Sequence, residues 1–152
     1  MDTILVFLPF SRHAFAETLA GVARRSGGSV RIQTVDGPVR AADLAKLLAF
    51  WRPRGCIVEA SEGLGVFTPE RFGRTPVVYL DRTPIDDRRS LLEVRQDYAA
   101  AICENEKTPL SSLCPDFEQA GWLCADLLEE RIRNPHLRKA LRAYRDREAK
   151  GN

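Results

Sequence analysis

A continuous apolar run near the start of the chain, from Ile4 to Phe10, is the feature that most constrains the fold. A strand that is apolar at every position has to be covered on both faces, as strands are in a parallel sheet between helices. Two further strands are predicted from Gly55 to Ala60 and from Pro76 to Asp81, each mostly apolar with an acidic residue near its end, and the intervals leave room for helices. The pattern therefore predicts a buried, mainly parallel sheet.

Helical patterns fill the intervals. The first has an apolar stripe beginning at Phe15 and stops at Gly27, and the second begins its stripe at Leu44 and stops before Pro53. An alternating strand from residue 29 to 35 separates them, and a fifth strand is predicted from Leu91 to Val94. The predicted fold class is α/β, a three-layer, doubly wound, mainly parallel sheet with helices on both faces.

The last quarter of the chain is predicted to be helical. A helix begins at Asp116 with one apolar face, Asn134-Pro135 ends it, and a final helical stripe carries Leu137, Leu141 and Tyr144. Residues 1–133 are predicted to form a single α/β lobe, and 134–152 a basic C-terminal helix or tail.

Size and charge exclude several classes of function. The 152 residues are enough for one domain with a core, and a net charge of +2 gives no nucleic-acid footprint. No apolar run reaches the ~18 residues of a membrane helix, so a cytoplasmic protein without membrane contact is expected. The four cysteines form no C-x-x-C pair, and the apolar neighbours of Cys56 and Cys124 predict buried free thiols.

Polar residues follow the predicted strands at the edge where doubly wound sheets bind ligands. They are Ser11-Arg12-His13, the stretch from Glu59 to Glu62, Asp81-Arg82, and Gln96-Asp97. Hydroxyl, carboxylate, amide and guanidinium groups together can pair with the hydroxyls of a sugar. The alternative is that these residues cap helices and face water.

Signals for an enzyme are weaker. The chain has no G-x-S-x-G elbow and no phosphate-binding G-x-x-x-x-G-K-[ST] loop, and Gly63-x-Gly65 lacks the third glycine of a dinucleotide fingerprint. His13 and His136 are too few and too far apart in sequence for a metal site. A non-enzyme without catalytic residues, metal or cofactor is expected, and a flavodoxin-like cofactor binder remains as an alternative.

Several stretches together resemble the effector-binding domain of LacI/GalR-type regulators. They are ILVFLPFSRHAFAETLAGVARRSG, WRPRGCIVEAS, TPVVYLDRT and VRQDYAAA. The likeness is greatest to the xylose-operon-regulator branch, which joins that domain to an AraC-type DNA-binding module. The resemblance implies the first lobe of a type I periplasmic-binding-protein fold.

A further stretch, AICENEKTPLSSLCPDFEQAGWLCADLLEERI, resembles a segment that lies much later in the family and returns from its second lobe. The resemblance thus implies a first segment 1–100, a junction near Ala100 and a returning segment 101–133, with the second lobe and both helix-turn-helix units missing. The end of the chain is loosely similar to the first helix of the AraC-type module.

The resemblance implies a truncated sugar-sensing lobe that recognises a small carbohydrate, with a pentose as one candidate, and whose affinity is weak or lost. The ligand-facing residues are predicted to be Ser11, Arg12, Phe15, Glu59, Arg82 and Asp97. Phe15 would pack against an apolar face of the ligand, and the others would bond to hydroxyl groups.

Two alternatives remain open at this point. The chain could be a dimerisation module, pairing with itself or with a full-length regulator, without direct DNA binding of its own. It could also be a deletion remnant with no independent function.

Overall fold

The computed structural model describes residues 2–9, 14–82, 91–96 and 113–146. The strands are β1 Asp2–Phe7, β2 Val30–Val35, β3 Gly55–Glu59, β4 Val77–Leu80, β5 Glu93–Gln96, β6 Leu113–Pro115 and β7 Ala140–Asp146. The helices are α1 Phe15–Ser26, α2 Ala41–Trp51, α3 Pro69–Phe72 and α4 Phe117–Arg133.

The strands of the described residues form one sheet in the order β2-β1-β3-β4-β5-β7-β6. Every neighbouring pair from β2 to β7 is parallel, and only the short β6 runs antiparallel to β7. The order reverses direction at β1, where the chain moves from one side of the sheet to the other. The predicted α/β class with a doubly wound, mainly parallel sheet is confirmed.

Both faces of the sheet are buried, as the apolar runs predicted. In β1, Ile4 and Val6 contribute to one core cluster, and Leu5 and Phe7 contribute to the other. The first cluster lies under α1 and α4, and the second lies under α2 and α3. Successive side chains along each strand therefore point into two different cores, one on each face of the sheet. The sheet and the helices on its two faces form three layers.

Among the described helices, α1 and α4 pack with their backbones in contact, and glycines permit it. A Cβ atom on Gly21 would lie 1.9 Å from the carbonyl oxygen of Glu118, and one on Gly121 would lie 1.9 Å from that of Thr18. A side chain at either position would overlap the backbone of the opposite helix. The two backbones therefore touch at this crossing because neither helix carries a side chain there.

Ion pairs flank the crossing and join α4 to its neighbours. Arg25 of α1 lies 2.8 Å from Asp126 of α4, with its guanidinium 5.7 Å from the ring centre of Trp122. Arg54, just before β3, lies 2.8 Å from Glu129. These pairs are partly exposed, so each adds only about 0.2–1 kcal/mol, and the apolar contact below them is the larger contribution.

The predicted final helix is wrong over the residues that the structure describes. Ala140–Asp146 forms β7, which pairs with β5 in parallel and with β6 in the opposite direction. The predicted stripe carried Leu137, Leu141 and Tyr144, a spacing of four and three residues that fits one face of a helix. Leu137 lies before β7, and Leu141 and Tyr144 are three residues apart, so alternation in a strand places them on opposite faces. This segment becomes a strand because it can pair with the open edge of β5. Such tertiary contacts outweigh a local helical preference.

Smaller differences concern strand positions. The fifth strand was predicted from Leu91 to Val94, and β5 is Glu93–Gln96. The strand β6 was not predicted; its three residues carry no periodic pattern. The helix beginning at Asp116 is confirmed, and the Asp116 side chain caps it by accepting a hydrogen bond of 3.0 Å from the Gln119 amide.

The predicted junction near Ala100 falls within residues 97–112, which lie outside the described residues, so it stays a prediction. The division into a lobe of residues 1–133 and a separate segment 134–152 also stays a prediction. Among the helices of the described ranges, none has the length and apolar character needed to cross a bilayer.

Cys56 and Cys124 are free and buried, which confirms the prediction for these two cysteines. Burial raises the pKa of the Cys56 thiol from 9.0 to about 12, because the apolar surroundings disfavour the thiolate. Cys103 and the side chain of Cys114 lie outside the described residues.

We predict that Gly121→Ala destabilises the fold despite the better helix propensity of alanine, worth about 1 kcal/mol. The new methyl group would force the two helix backbones apart, so the net loss should be about 2 kcal/mol or more. Urea denaturation measures it. Gly28→Ala is the control, since a Cβ atom there meets nothing within 4 Å; equal midpoints for the two variants would contradict the glycine contact.

We also predict that Cys56 resists alkylation in the folded protein. Iodoacetamide at about pH 8 should leave the Cys56 peptide unmodified until urea is added, as peptide mass mapping would detect. Above pH 9 the unfolded thiol loses its proton while the folded thiol keeps it up to about pH 12. The contribution of this thiol to stability therefore falls as pH rises through that range. Rapid labelling without urea would show that Cys56 is not buried as described.

Candidate functional site

The carboxyl ends of β3, β4 and β5 lie side by side in the sheet. The ladder continues past the strand ends, since the Ala60 amide donates to Leu80 at 2.9 Å and the Asp81 amide donates to Val94 at 2.8 Å. Residues that directly follow these strands are therefore neighbours, although they are far apart in sequence. This edge is where doubly wound folds bind their ligands.

Glu59 ends β3 at this edge and is partly buried. Its Oε1 accepts a hydrogen bond of 2.7 Å from the Ser61 amide, which holds the carboxylate at the mouth of the turn that follows. This contact closes a turn and not a helix, so it leaves the helix-capping alternative for Glu59 unsupported. It involves one of the two carboxylate oxygens, so it is compatible with a ligand contact at the other.

The loop after β3 is anchored beneath the sheet. The Tyr79 hydroxyl donates to the Phe67 carbonyl, and the ring centre of Phe67 lies 5.0 Å from that of Phe7. Leu64 is buried between them, with 2% of its surface exposed. These contacts hold the turn at Glu59 in a fixed position relative to β4.

Asp81 is the most unusual residue at the edge. Its φ of 59° is in the left-handed region, which a non-glycine residue rarely adopts, and its side chain is buried. Such a backbone costs on the order of 1 kcal/mol and persists where the surrounding structure enforces it. Strained backbone of this kind often accompanies a functional site, which adds Asp81 to the candidates.

Arg82 is placed differently from what its prediction as a hydroxyl-binding residue requires. Only 4% of its surface is exposed, and its Nε lies 2.8 Å from Oε2 of Glu93 at the start of β5. Its Nη2 lies 3.4 Å from Oε1 of the same carboxylate. Arg82 is therefore one half of a buried ion pair at the edge, and its role toward a ligand stays a prediction.

Glu93 and Arg95 were missed as site residues. Nη2 of Arg95 lies 3.5 Å from the Glu93 carboxylate, so two arginines share one acid. The signal was present in the sequence: Glu93-Val94-Arg95 places two charges at alternate positions directly after the apolar pair Leu91-Leu92. A buried strand does not carry such charges unless they are paired.

Of the other predicted ligand-facing residues, only Phe15 lies within the part of the chain that the structure describes. Phe15 is the first residue of α1 and packs against the core beneath that helix, so its predicted contact with a ligand stays untested. Ser11, Arg12 and Asp97 lie outside the described residues. No group of three or more potential ligands that could hold a metal ion occurs in the portions of the chain that the structure describes.

Comparison with solved structures shows the fold. A LacI protein of Bacillus cereus subsp. cytotoxis, assigned as a transcriptional regulator, superposes with a TM-score of 0.53 and 14% identity over 94% of this chain and 58% of its own. A LacI family transcriptional regulator of Weissella paramesenteroides with bound glucose gives a TM-score of 0.49 and 11% identity over 86% of this chain and 54% of its own.

A flavoprotein is also similar in structure. The diflavin flavoprotein A3 of Nostoc sp. gives a TM-score of 0.49 and 15% identity over 90% of this chain and 98% of its own. No family model and no curated protein matches the chain. The chain spans between half and three fifths of the length of the two regulators. At 14% identity, the similarity to the B. cereus protein shows the fold alone.

We predict that Arg82→Met destabilises the fold by about 3 kcal/mol, because it leaves the Glu93 carboxylate buried with only the longer contact to Arg95. The double variant Arg82→Met/Glu93→Met should regain most of that loss, since both charges are then removed. Urea denaturation of the two single variants and the double variant gives the coupling energy. Additive effects would show that Arg82 and Glu93 do not form the buried pair.

Proposed function

We propose that this chain is a non-catalytic, sugar-sensing lobe related to the effector-binding domains of LacI-type regulators. The observation that carries the proposal is the convergence of Glu59, Asp81 and Arg82 at one carboxyl edge of a doubly wound sheet. Acceptor and donor groups meet there on fixed strand ends, and a left-handed residue lies between them. This is the arrangement that a small polyhydroxy ligand requires.

The fold supports the same proposal. The structural similarity to the LacI protein of B. cereus extends over 94% of this chain. The sequence stretches that resemble LacI/GalR-type regulators include TPVVYLDRT, which contains β4 and both Asp81 and Arg82. The finer part of the proposal assigns the chain to the xylose-operon-regulator branch and a pentose as its ligand.

The proposal also holds that the chain has one lobe and lacks the second lobe of the family. Its proposed location is the cytoplasm. A ligand bound at the edge of one lobe is covered from one side only. Because affinity depends on the ligand surface that is buried, binding should be weak, with a dissociation constant of roughly millimolar order.

Dimerisation remains a prediction with less support. The large apolar side chain exposed among the described residues is Phe50 on α2, with 77% of its surface accessible, and its ring meets Trp51 edge to face. A single exposed aromatic residue is normal for a soluble surface and does not define an interface.

We predict that calorimetry with D-xylose or D-glucose detects binding at roughly millimolar concentration. Glu59→Gln should weaken it about threefold or more, because an amide accepts hydrogen bonds from hydroxyls less strongly than a carboxylate does. The substituted amide oxygen can still accept from the Ser61 amide, so the turn should be retained.

Asp43→Asn is the matched control. Asp43 lies in the first turn of α2, after β2, where hydrogen bonds from Arg40 lower the pKa of its carboxyl group, and it is not among the residues that follow β3, β4 and β5. Its variant should bind sugar as the parent does. Absence of heat with every sugar tested, in a folded protein, would remove sugar sensing as a present activity.

A further inference from the structure

The cluster of Arg82, Glu93 and Arg95 carries an excess of positive charge. Oε2 of Glu93 lies 2.8 Å from Nε of Arg82 and 3.5 Å from Nη2 of Arg95, so one carboxylate faces two guanidinium groups. Both arginines are charged at any physiological pH. Two positive charges and one negative charge leave a net charge of +1 within this cluster.

Two nitrogen atoms of the cluster are buried and make no hydrogen bond. They are Nη1 of Arg82 and Nε of Arg95. Arg82 is 96% buried, since 4% of its surface is exposed, and its other two nitrogens are occupied by Glu93. A buried donor without an acceptor costs about 1–3 kcal/mol, and more when it is charged. Such a cost is commonly offset by a bound ion or ligand.

The position of the cluster makes it accessible to a small ligand. Arg82 directly follows Asp81 at the carboxyl edge. The two unpaired nitrogens are themselves buried, but the side chain of Arg95 is 32% exposed, so a small ligand approaches them from the Arg95 side. The guanidinium group presents donors in a planar fork that matches the oxygens of a carboxylate or a phosphate. A neutral hydroxyl group could accept a hydrogen bond here, but it would not balance the net charge.

We infer that the Arg82–Glu93–Arg95 cluster binds the oxyanion of the ligand, so that the sugar recognised at this edge is an acidic one, bearing a carboxylate or a phosphate. The inference rests on the proposed sugar-sensing function and replaces its neutral pentose with an anionic sugar. Glu93 has a positioning role, since it holds both guanidinium groups in place while leaving one donor of each for the ligand.

The test is calorimetry on the full chain with four probes at low ionic strength, where charged contacts are least screened. The probes are D-xylose, D-glucuronate, D-glucose 6-phosphate and inorganic phosphate. At least one acidic sugar should bind about tenfold or more tightly than D-xylose, as charge-assisted hydrogen bonds would provide. The comparison of glucuronate with glucose 6-phosphate distinguishes a carboxylate ligand from a phosphate ligand.

Arg95→Gln should weaken binding of the preferred acidic sugar about fivefold or more and leave D-xylose binding within about twofold. Arg24→Gln is the matched control: it removes the same charge from the last turn of α1, where Arg24 pairs with Glu118 and not with the cluster. Arg95→Lys keeps the charge without the planar fork, so its affinity should fall between those of the parent and Arg95→Gln. Circular dichroism verifies that each variant is folded.

The outcomes separate the two proposals. Equal affinity for D-xylose and both acidic sugars, or equal effects of Arg95→Gln and Arg24→Gln, would overturn the oxyanion site and leave sugar sensing intact. Binding of inorganic phosphate without binding of any sugar would overturn the acidic-sugar ligand and the proposed sensing function together.

Discussion

The contact between α1 and α4 at Gly21 and Gly121 is the constraint on which the rest of the structure depends. The two helices together cover one face of the sheet, and their backbones touch because both lack a side chain at the crossing. Gly55 extends the same principle to β3, where a Cβ atom would lie 2.5 Å from Leu128 of α4. Because α4 can approach both α1 and β3 closely, it packs directly on the central strands. The chain that follows α4 then returns to the sheet as β7.

A sheet that is buried on both faces has only its edges and ends for contact with solvent and ligands. The polar groups therefore collect at the carboxyl ends, where Glu59 follows β3 and Asp81 follows β4. The apolar cores fix these positions, because each strand is held from two sides. A site built in this way is rigid where it meets the sheet, which reduces the entropy lost on binding.

Sequence reasoning predicted which strand ends meet at the carboxyl edge better than it predicted how the side chains there pair. Patterns of apolar residues indicated which strands are buried and where each ends, and hence which residues meet at the edge. They did not show that Arg82 pairs with Glu93, since the pairing depends on the register of β4 against β5, which aligns Tyr79 with Glu93. Periodicity in one segment contains no information about the register of two strands from different parts of the chain. The charges at Glu93 and Arg95 nevertheless indicated a buried pair, and this signal was overlooked.

The sequence by itself determined the α/β class, the first four strands, the three longer helices and the buried state of Cys56 and Cys124. These features follow from local periodicity, helix breaks and caps, which depend on neighbouring residues. Only the tertiary structure decided that Ala140–Asp146 is a strand, that two glycines form the helix crossing, and that Arg82 is paired within the protein. The physical reason is the same in each case: the partner is distant in sequence, and a free strand edge, a nearby backbone or a buried carboxylate outweighs the local preference.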